Sequence, residues 1–224
     1  MKHGKKYNEA AKKFNAQSLQ TVEKAVEIMK QCTFAKFDET VELAMKLNIK
    51  AQQSIRDTVV LPHLFGKEKK ILVFAKGEKA EEAKASGAAF VGDNDLIEKI
   101  KGGWLDFDVA VSTPDLMKDV GKLGQILGRR GLMPNPKTQT VTFDLKNAIA
   151  ELKKGRIEFR ADKGGVVHLA VGKISMEPRN ICENIKIAMD TIKRKRPSDV
   201  KGEFVRSAIV STTMGPGVKI DARE

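Results

Sequence analysis

The chain has 224 residues, enough for one large domain or for two domains of roughly 100 to 150 residues each. Its 41 lysines and arginines exceed its 29 aspartates and glutamates, and the net charge of +12 favours a polyanionic partner over a merely soluble basic protein. No run of about 18 apolar residues occurs and no apolar core follows the first lysines, so we expect a soluble intracellular protein without a membrane span or secretory signal.

The N-terminal part predicts one helix and one strand. Residues 18–31 have the helical spacing of apolar side chains, with Ser18 as the N-cap. The inward-facing side chains of this helix would be Leu19, Val22, Val26 and Met29. Residues 39–49, ETVELAMKLNI, alternate between apolar and polar side chains, which is typical of a strand with one buried and one solvated face.

A different rhythm begins at residue 71, where short apolar runs alternate with helical segments. The predicted strands are ILVFA, AAFVG and FDVAVS, at residues 71–75, 88–92 and 107–112. The predicted helices cover residues 78–86, 94–101, 114–127 and 145–155, with Asp93 or Asn94 as a cap of the second. Strands that alternate with helices predict βαβ units around a parallel sheet, and therefore a small doubly wound domain.

The C-terminal part returns to the character of the first. It predicts strands at residues 155–162, 165–175 and 203–213, and a helix at residues 180–196 with one apolar stripe. We therefore predict an α/β protein of two domains. If the two chain ends join, residues 1–67 plus 160–224 would form one α+β domain, and the doubly wound βαβ domain, residues 68–159, would be inserted between them. Two separate terminal modules are the alternative arrangement.

The charges divide in the same way. Residues 1–67 and 160–224 carry 12 and 13 basic residues against 7 and 8 acidic ones, whereas residues 68–159 carry 16 against 14. Ten of the twelve excess positive charges thus belong to the chain ends, so a joined terminal domain would hold most of the surface for a polyanion. Crossings near Gly66–Glu68 and Phe159–Ala161 would act as hinges between the two domains.

The sequence offers little for catalysis, for a cofactor or for a metal. The segment after the strand at 71–75, KGEKAEE, lacks the glycine spacing of a dinucleotide or P-loop motif, and the glycines of GKLGQILG are interleaved with apolar residues as in a packed helix. Neither the histidines nor the cysteines have partners at the spacing of a catalytic triad, a zinc site or a disulfide framework. These residues are His3, His63, His168, Cys32 and Cys182. We predict no catalytic residue, no metal and no cofactor, and we place both cysteines in the core.

Two segments at opposite chain ends have uncharged or mixed chemistry suited to nucleic acid. In KFDETVE, residues 36–42, Lys36 would meet phosphate while Thr40 and Glu42 would hydrogen-bond sugar or base edges. The burial statistics of phenylalanine favour a core position for Phe37 instead. In STTMGPGVKID, residues 211–221, the glycines predict either a simple turn between strands or the close approach of a partner's backbone.

Two further segments are basic. The segment GRRGLMPNPKTQT, residues 128–140, predicts a proline-stiffened loop that presents Arg129, Arg130 and Lys137. The run KRKRP, residues 193–197, is typical of a solvated helix end, where cations suit the helix dipole. Aromatic residues make up only 5% of the chain, which disfavours a base-stacking platform and favours structured RNA or a duplex.

Four motifs in register resemble one known family. They are AKFDETVELAMKLNI, LGRRGLMPNPKTQTVT, GVVHLAVGKISM and VSTTMGPGVKID, beginning at residues 35, 127, 165 and 210. Together they closely resemble the bacterial large-subunit ribosomal protein L-one family, the proteins of the mobile stalk beside the tRNA exit site. The resemblance runs over essentially the whole chain in the same order. It implies a two-domain fold in which a Rossmann-like domain is inserted into a first domain built from both chain ends.

The resemblance also implies a function and a set of site residues. A member would bind the stalk region of 23S-type ribosomal RNA in the large ribosomal subunit, take part in release of exit-site tRNA, repress translation by binding its own mRNA, and be a monomer when free. The RNA-binding residues carried over by motif are Lys36, Phe37, Thr40, Glu42, His168, Gly172, Lys173, Ser175, Thr212, Thr213, Met214, Gly215 and Gly217. A weaker, more electrostatic contact would come from Arg129, Arg130 and Lys137 in the inserted domain.

Two other hypotheses belong to different functional classes. A nucleotide-dependent α/β enzyme would use the middle domain and would bind ATP or NAD without preferring RNA. A DNA-binding regulator would bind equally well to an analogue of its target that lacks the 2′-hydroxyls. Binding assays with RNA, its DNA analogue and nucleotides separate the three hypotheses.

Overall fold

A computed structural model of the chain describes residues 4–50, 55–66 and 68–222. The chain divides into two compact units, Met1–Gly66 with Ile157–Glu224 and Lys67–Arg156. The second crossing therefore falls at 156/157, three residues before the predicted boundary at 159/160, because the strand that starts at Arg156 pairs with a strand of the first unit. His3 and Lys67 lie outside the described residues.

The first unit is built on a four-stranded antiparallel sheet with the order β7-β1-β8-β9. Its strands are β1 (Thr40–Leu47), β7 (Val166–Lys173), β8 (Val205–Thr212) and β9 (Val218–Ile220). A separate two-stranded ribbon pairs β2 (Arg56–Val60) with β6 (Arg156–Arg160). Three helices complete the unit, namely α1 (Lys5–Ala11), α2 (Val22–Cys32) and α8 (Pro178–Arg194).

One face of the four-stranded sheet is buried and the other is open. The alternation predicted for residues 39–49 places Val41, Leu43, Met45 and Leu47 inward, where they pack with α2 and α8 in one hydrophobic core. The outward side chains of β1 stay at least partly accessible, and Glu42 is exposed. A sheet covered by helices on one side leaves its other side, and its strand ends, for a partner.

The start of α2 differs from the sequence prediction. The helix begins at Val22, and its N-cap is Thr21, whose hydroxyl accepts a hydrogen bond from the Lys24 amide, so the prediction of Ser18 as cap was wrong. Leu19 is 67% exposed rather than inward-facing. The cause is tertiary pairing, because Gln20 forms a bridge with Ile220 while the chain before it forms a turn in which the Ser18 amide donates to the Asn15 carbonyl.

The second unit is a three-layer α/β arrangement around a parallel sheet with the order β4-β3-β5. Its strands are β3 (Ile71–Phe74), β4 (Phe90–Gly92) and β5 (Val109–Ser112). Its helices are α3 (Glu78–Ala85), α4 (Asn94–Lys101), α5 (Met117–Gly121), α6 (Gly124–Arg129) and α7 (Leu145–Lys153). The sheet is buried on both faces, as a doubly wound domain requires.

The segment at 114–127 is one predicted helix that the structure breaks. A single 3-10 turn at Pro114–Leu116 leads into α5, and α6 starts again at Gly124. Glycine lowers helix stability by about 1 kcal/mol relative to alanine, and Gly121 and Gly124 flank the break. Leu123 and Leu127 are nevertheless fully buried, so the apolar spacing was set by packing against the sheet.

Both cysteines lie in the core of the first unit, as predicted. Cys32 and Cys182 are buried and unbridged. Burial raises the pKa of both thiols above the ordinary value, so they stay protonated near neutral pH.

Candidate nucleic-acid interface

Three of the predicted RNA-binding segments meet at one end of the four-stranded sheet. Because β1 runs antiparallel to both β7 and β8, its first residues lie beside the last residues of both neighbours. Thr40 is opposite Lys173, and Val41 is opposite both Gly172 and Thr212. We call residues 36–42, 172–175 and 212–217 the strand-end cluster.

Side-chain hydrogen bonds tie the first and third segments together. The hydroxyl of Thr213 accepts from the Thr40 amide at 3.0 Å and donates to the Thr40 carbonyl at 3.4 Å. Thr212 is buried, and its hydroxyl accepts from the Gly215 amide at 3.1 Å. Thr212 and Thr213 therefore have different roles. Thr212 closes the turn, and the exposed Thr213 joins the turn to β1.

A second set of contacts joins the first segment to the end of β7. The Lys173 ammonium donates to the Thr40 hydroxyl at 2.8 Å and to the Asp38 carbonyl at 3.3 Å. The Asp38 carboxylate accepts from the amide of Ser175 at 3.1 Å and from its hydroxyl at 2.9 Å. These bonds fix the direction of the Lys173 and Ser175 side chains before any ligand arrives.

Glu39 connects the same loops from beneath, and the sequence analysis missed it. Its side chain is fully buried, and its carboxylate accepts from the Met214 amide at 3.0 Å and from the Ala35 amide at 3.4 Å. Its own carbonyl accepts from the Ile174 amide at 2.9 Å. The sequence contains one sign of this role. Glu39 is two residues before Val41 and four before Leu43, so the period-two pattern of the strand places it on the same, buried side. A carboxylate at an inward position needs donors there.

Two large apolar side chains stand exposed at the cluster. Phe37 is 54% exposed and Met214 is 51% exposed. The expectation that Phe37 is a core residue was therefore wrong, because the buried positions begin at Glu39 and residues 36–38 before it are exposed. Exposed apolar groups among hydrogen-bonding side chains are available to stack on bases or to pack against sugars.

The three glycines of the site have tight surroundings. A Cβ at Gly172 would meet the Met176 sulfur at 3.3 Å and Ile181 at 3.5 Å, so this buried position packs against α8. A Cβ at Gly215 would collide with the Thr212 hydroxyl, and one at Gly217 would lie 2.9 Å from Ile209. The glycines thus keep the cluster compact. At Gly172 the neighbouring side chains leave little room for a Cβ.

Glu42 and His168 lie along the open face of the sheet. Both are exposed, and β1 and β7 place them on neighbouring strands, with Ala44 opposite His168 and Glu42 opposite Ala170. His168 is five residues before Lys173, or about 16 Å along the strand at a rise of roughly 3.3 Å per residue. His168 is therefore outside the strand-end cluster, although it shares its sheet.

The cluster is not strongly basic. It contains two cations, Lys36 and Lys173, and three carboxylates, at positions 38, 39 and 42. Lys36 is exposed and forms no ion pair with any residue that the structure describes. Short-range hydrogen bonds and apolar contacts, rather than net charge, are thus the chemistry that this surface offers.

The remaining three predicted residues belong to the second unit. Arg129 is in the last turn of α6, Arg130 follows it, and Lys137 lies in the 3-10 turn Pro136–Thr138. All three are exposed and form no ion pair within the described part of the chain. They belong to the second unit and not to the strand-end cluster.

The loop that carries Lys137 is rigid for reasons beyond its prolines. The Asn135 side chain accepts from the Lys137 amide at 2.9 Å, and the Asn135 amide donates to the Thr140 hydroxyl at 2.8 Å. The buried Arg156 donates to the Gln139 side chain at 2.6 Å and to Glu151 at 2.7 Å. Gln139 has a φ of 53°, a left-handed conformation that this bond helps to hold.

Within residues 4–50, 55–66 and 68–222, no group of three or more histidine, cysteine, aspartate or glutamate side chains could hold a metal ion. No helix in this part of the chain has the length and apolar character to cross a membrane.

His63, which follows β2, forms a hydrogen bond with Glu183. The distance from its Nε2 to the Glu183 carboxylate is 2.7 Å, and this hydrogen bond lowers the pKa of the Glu183 carboxyl.

Comparison with known proteins decides the family. The model of the Ribosomal protein L1p/L10e family matches residues 28–216, which include every predicted site residue except Gly217. The chain belongs to this family. Similar proteins include the large ribosomal subunit protein uL1 of Treponema denticola, 58% identical over 221 residues that cover 99% of this chain and 98% of the relative. The uL1 proteins of Borrelia duttonii and of Borreliella burgdorferi strain B31 are 59% and 56% identical over 220 residues, with 98% of this chain covered in both cases and 98% and 97% of the relatives.

Membership in the L1p/L10e family confirms the resemblance and the two-domain α/β fold class predicted from the sequence. It makes the chain a ribosomal protein rather than an enzyme. The nucleotide-dependent enzyme hypothesis for the middle domain is therefore wrong. The three-layer unit has the architecture of many nucleotide-binding domains, but architecture by itself does not determine function.

Proposed function

We propose that the chain is a structural protein of the large subunit of the cytoplasmic ribosome and binds the stalk region of 23S-type ribosomal RNA through the strand-end cluster. The observation that carries this proposal is the convergence of three separate segments on one sheet end, with their hydroxyls, amides and ammonium already oriented. The names of the similar proteins support the subunit assignment.

Recognition in this proposal is positioning, with no bond made or broken. The Lys36 ammonium meets a phosphate, while hydroxyl and backbone groups of Thr213 and Ser175 contact ribose and base edges. Phe37 and Met214 pack against unstacked bases or sugars beside these polar groups. The cluster is preorganised by Asp38 and Glu39, so RNA binding orders few additional side chains.

The proposal extends to two finer functions, to the state of the free protein and to a second RNA contact. As a stalk protein, the chain takes part in release of tRNA from the exit site, and it represses translation by binding a similar structure in its own mRNA. It acts as a monomer when free. Arg129, Arg130 and Lys137 of the second unit supply a weaker, electrostatic RNA contact.

A binding titration with matched variants tests the proposal. Full-length protein is titrated with a folded stalk fragment of 23S-type RNA, with the corresponding mRNA fragment, with the DNA analogue, and with ATP and NAD. We expect tight binding to both RNAs only. Phe37→Ala should weaken RNA binding by about 1 to 3 kcal/mol, the usual contribution of an aromatic side chain that stacks on a base. Phe143→Ala removes a comparably exposed phenylalanine of the second unit, 56% accessible, and should leave affinity unchanged.

Two results would contradict the proposal. Equal effects of the two phenylalanine variants would place the RNA elsewhere than on the strand-end cluster. Binding of a nucleotide without any preference for RNA would overturn the proposed function as a whole.

A further inference from the structure

A groove lies at the opposite end of the four-stranded sheet from the strand-end cluster. It has a volume of about 480 Å³ and is lined by the last turns of α8, the start of β8 and the end of β9. Residues 205–208 at the start of β8 line the groove, and the cluster begins at Thr212, four residues or about 14 Å further along the strand at roughly 3.4 Å per residue. An RNA held at the cluster must therefore extend beyond it to reach the groove.

The side chains at the groove favour an anion. Four cations line it, Lys193, Arg196, Arg206 and Lys219, against two carboxylates, Glu203 and Asp221. Asp190, which is outside this lining, has its Oδ1 4.0 Å from the Lys193 ammonium. The groove therefore has a net positive charge, whereas the cluster at the other end of the sheet does not.

Two of these cations are held in place by neutral acceptors. The Arg206 guanidinium donates to the Asn48 side chain at 2.6 Å, and the Arg196 guanidinium donates to the Val200 carbonyl at 2.8 Å. These bonds orient the guanidinium groups without neutralising their charge. Arginine has five donors, so each keeps further N–H groups for a phosphate.

The groove offers little surface for base stacking. Its aromatic residue, Phe204, is only 6% exposed, so no ring is offered for base stacking. Leu19, which is 67% exposed, adds one apolar contact at the rim. Phosphate contacts from lysine and arginine position a nucleic acid but carry no sequence information.

We propose that this groove, at the end of α8 and the start of β8, is a second RNA contact that binds the phosphodiester backbone of the strand flanking the specifically bound site. This inference rests on the proposed function, because it takes the ligand of the cluster to be RNA. It gives the basic run at residues 193–197 a role beyond that of a solvated helix end. It also divides the first unit into a specific, weakly charged end and a non-specific, charged end.

The test compares two RNAs and three proteins. The short RNA is the stalk fragment trimmed by nuclease protection to the minimum that binds, and the long RNA keeps about ten native flanking nucleotides on each side. The proteins are full-length wild type, the groove variant Lys193→Gln/Lys219→Gln, and the control Lys12→Gln/Lys24→Gln. The control removes two exposed lysines of the same unit that are outside the groove. Affinity is measured between 50 and 200 mM salt.

For the long RNA, the slope of log Kobs against log salt concentration should be less negative in the groove variant than in wild type. The difference should be about 1.4 to 1.8, the value for two lost phosphate contacts. The advantage of wild type over the variant should then shrink roughly tenfold between 50 and 200 mM salt. For the short RNA the two proteins should bind alike, and the control variant should behave as wild type with both RNAs.

Contrary outcomes separate the two proposals. If wild type binds the short RNA but the flanks and the groove variant change nothing, the groove proposal is overturned and the proposed function stands. An equal loss in the groove and control variants would show a general charge effect and would also overturn the groove proposal. If wild type binds neither RNA, the proposed function fails, and the groove proposal fails with it.

Discussion

The buried carboxylate of Glu39 provides the sharpest single perturbation of the strand-end cluster. The substitution Glu39→Gln keeps the shape of the side chain but replaces one acceptor oxygen by a donor NH₂ group. In the wild type both carboxylate oxygens are used, by the Ala35 amide at 3.4 Å and the Met214 amide at 3.0 Å. Glutamine can satisfy only one of these N–H groups and directs a donor at the other.

The magnitude follows from that lost acceptor. Leaving a donor unsatisfied at a buried site costs about 1 to 3 kcal/mol, so the free energy of unfolding should fall by this amount. Because Met214 belongs to the turn that carries Thr213, the bound form of the turn becomes less populated in the free protein. If about 1 to 2 kcal/mol of that cost appears in binding, RNA affinity should fall roughly 5- to 30-fold.

Denaturant unfolding and RNA titration measure the two effects on the same sample. The matched control is Glu27→Gln, which neutralises an exposed glutamate of α2 outside the cluster and should change neither quantity by more than about 0.5 kcal/mol. If Glu39→Gln leaves both unfolding and RNA affinity at their wild-type values, the carboxylate does not hold the turn and the reasoning is refuted.

Four further predictions concern the same surfaces. Thr213→Val should lower RNA affinity and reduce the free energy of unfolding by about 0.5 to 1.5 kcal/mol, because both hydrogen bonds to Thr40 are lost. Thr213→Ser keeps the hydroxyl and should retain both bonds. If titration shows equal RNA affinity for the two variants, the hydroxyl does not contribute to the site. Gly215→Ala should lower RNA affinity, since its Cβ meets the Thr212 hydroxyl and must displace the turn; an unchanged dissociation constant would show that the turn is not involved. The triple variant Arg129→Gln/Arg130→Gln/Lys137→Gln should reduce affinity in 50 mM salt and much less in 200 mM salt, as purely electrostatic contacts do, and a salt-independent loss would contradict this. With the minimal stalk fragment, Lys36 and Lys173, the two cations of the cluster, should contribute about −1.4 to −1.8 to the slope of log Kobs against log salt; a slope near −10 would mean that charge dominates.

The sequence was most informative where one physical constraint acted alone. The period-two alternation of residues 39–49 predicted the buried face of β1 because that strand has helices on one side only. The alternation of strands and helices from residue 71 predicted the parallel sheet of the second unit, which both hydrophobic clusters bury. The charge count indicated which part of the chain has the stronger positive balance.

The predictions failed where a distant contact overrode a local preference. Ser18 is a good capping residue, but the pairing of Gln20 with Ile220 moved the helix start to Val22. Phenylalanine is usually buried, but Phe37 is exposed because it lies before β1, where residues 36–38 are all exposed. Glu39 was passed over because its two donors come from segments that are 4 and 175 residues away along the chain. Only the fold brings these together.

The most direct test of the central claim is to map the bound RNA on the protein residue by residue. Backbone amide chemical shifts of the full chain are followed by NMR while the folded stalk fragment is added. We predict that the largest changes fall within residues 36–42, 172–175 and 212–217, with smaller changes near Arg129, Arg130 and Lys137. Changes confined to the second unit, or spread evenly over exposed lysines, would contradict the claim that the strand-end cluster is the principal RNA contact.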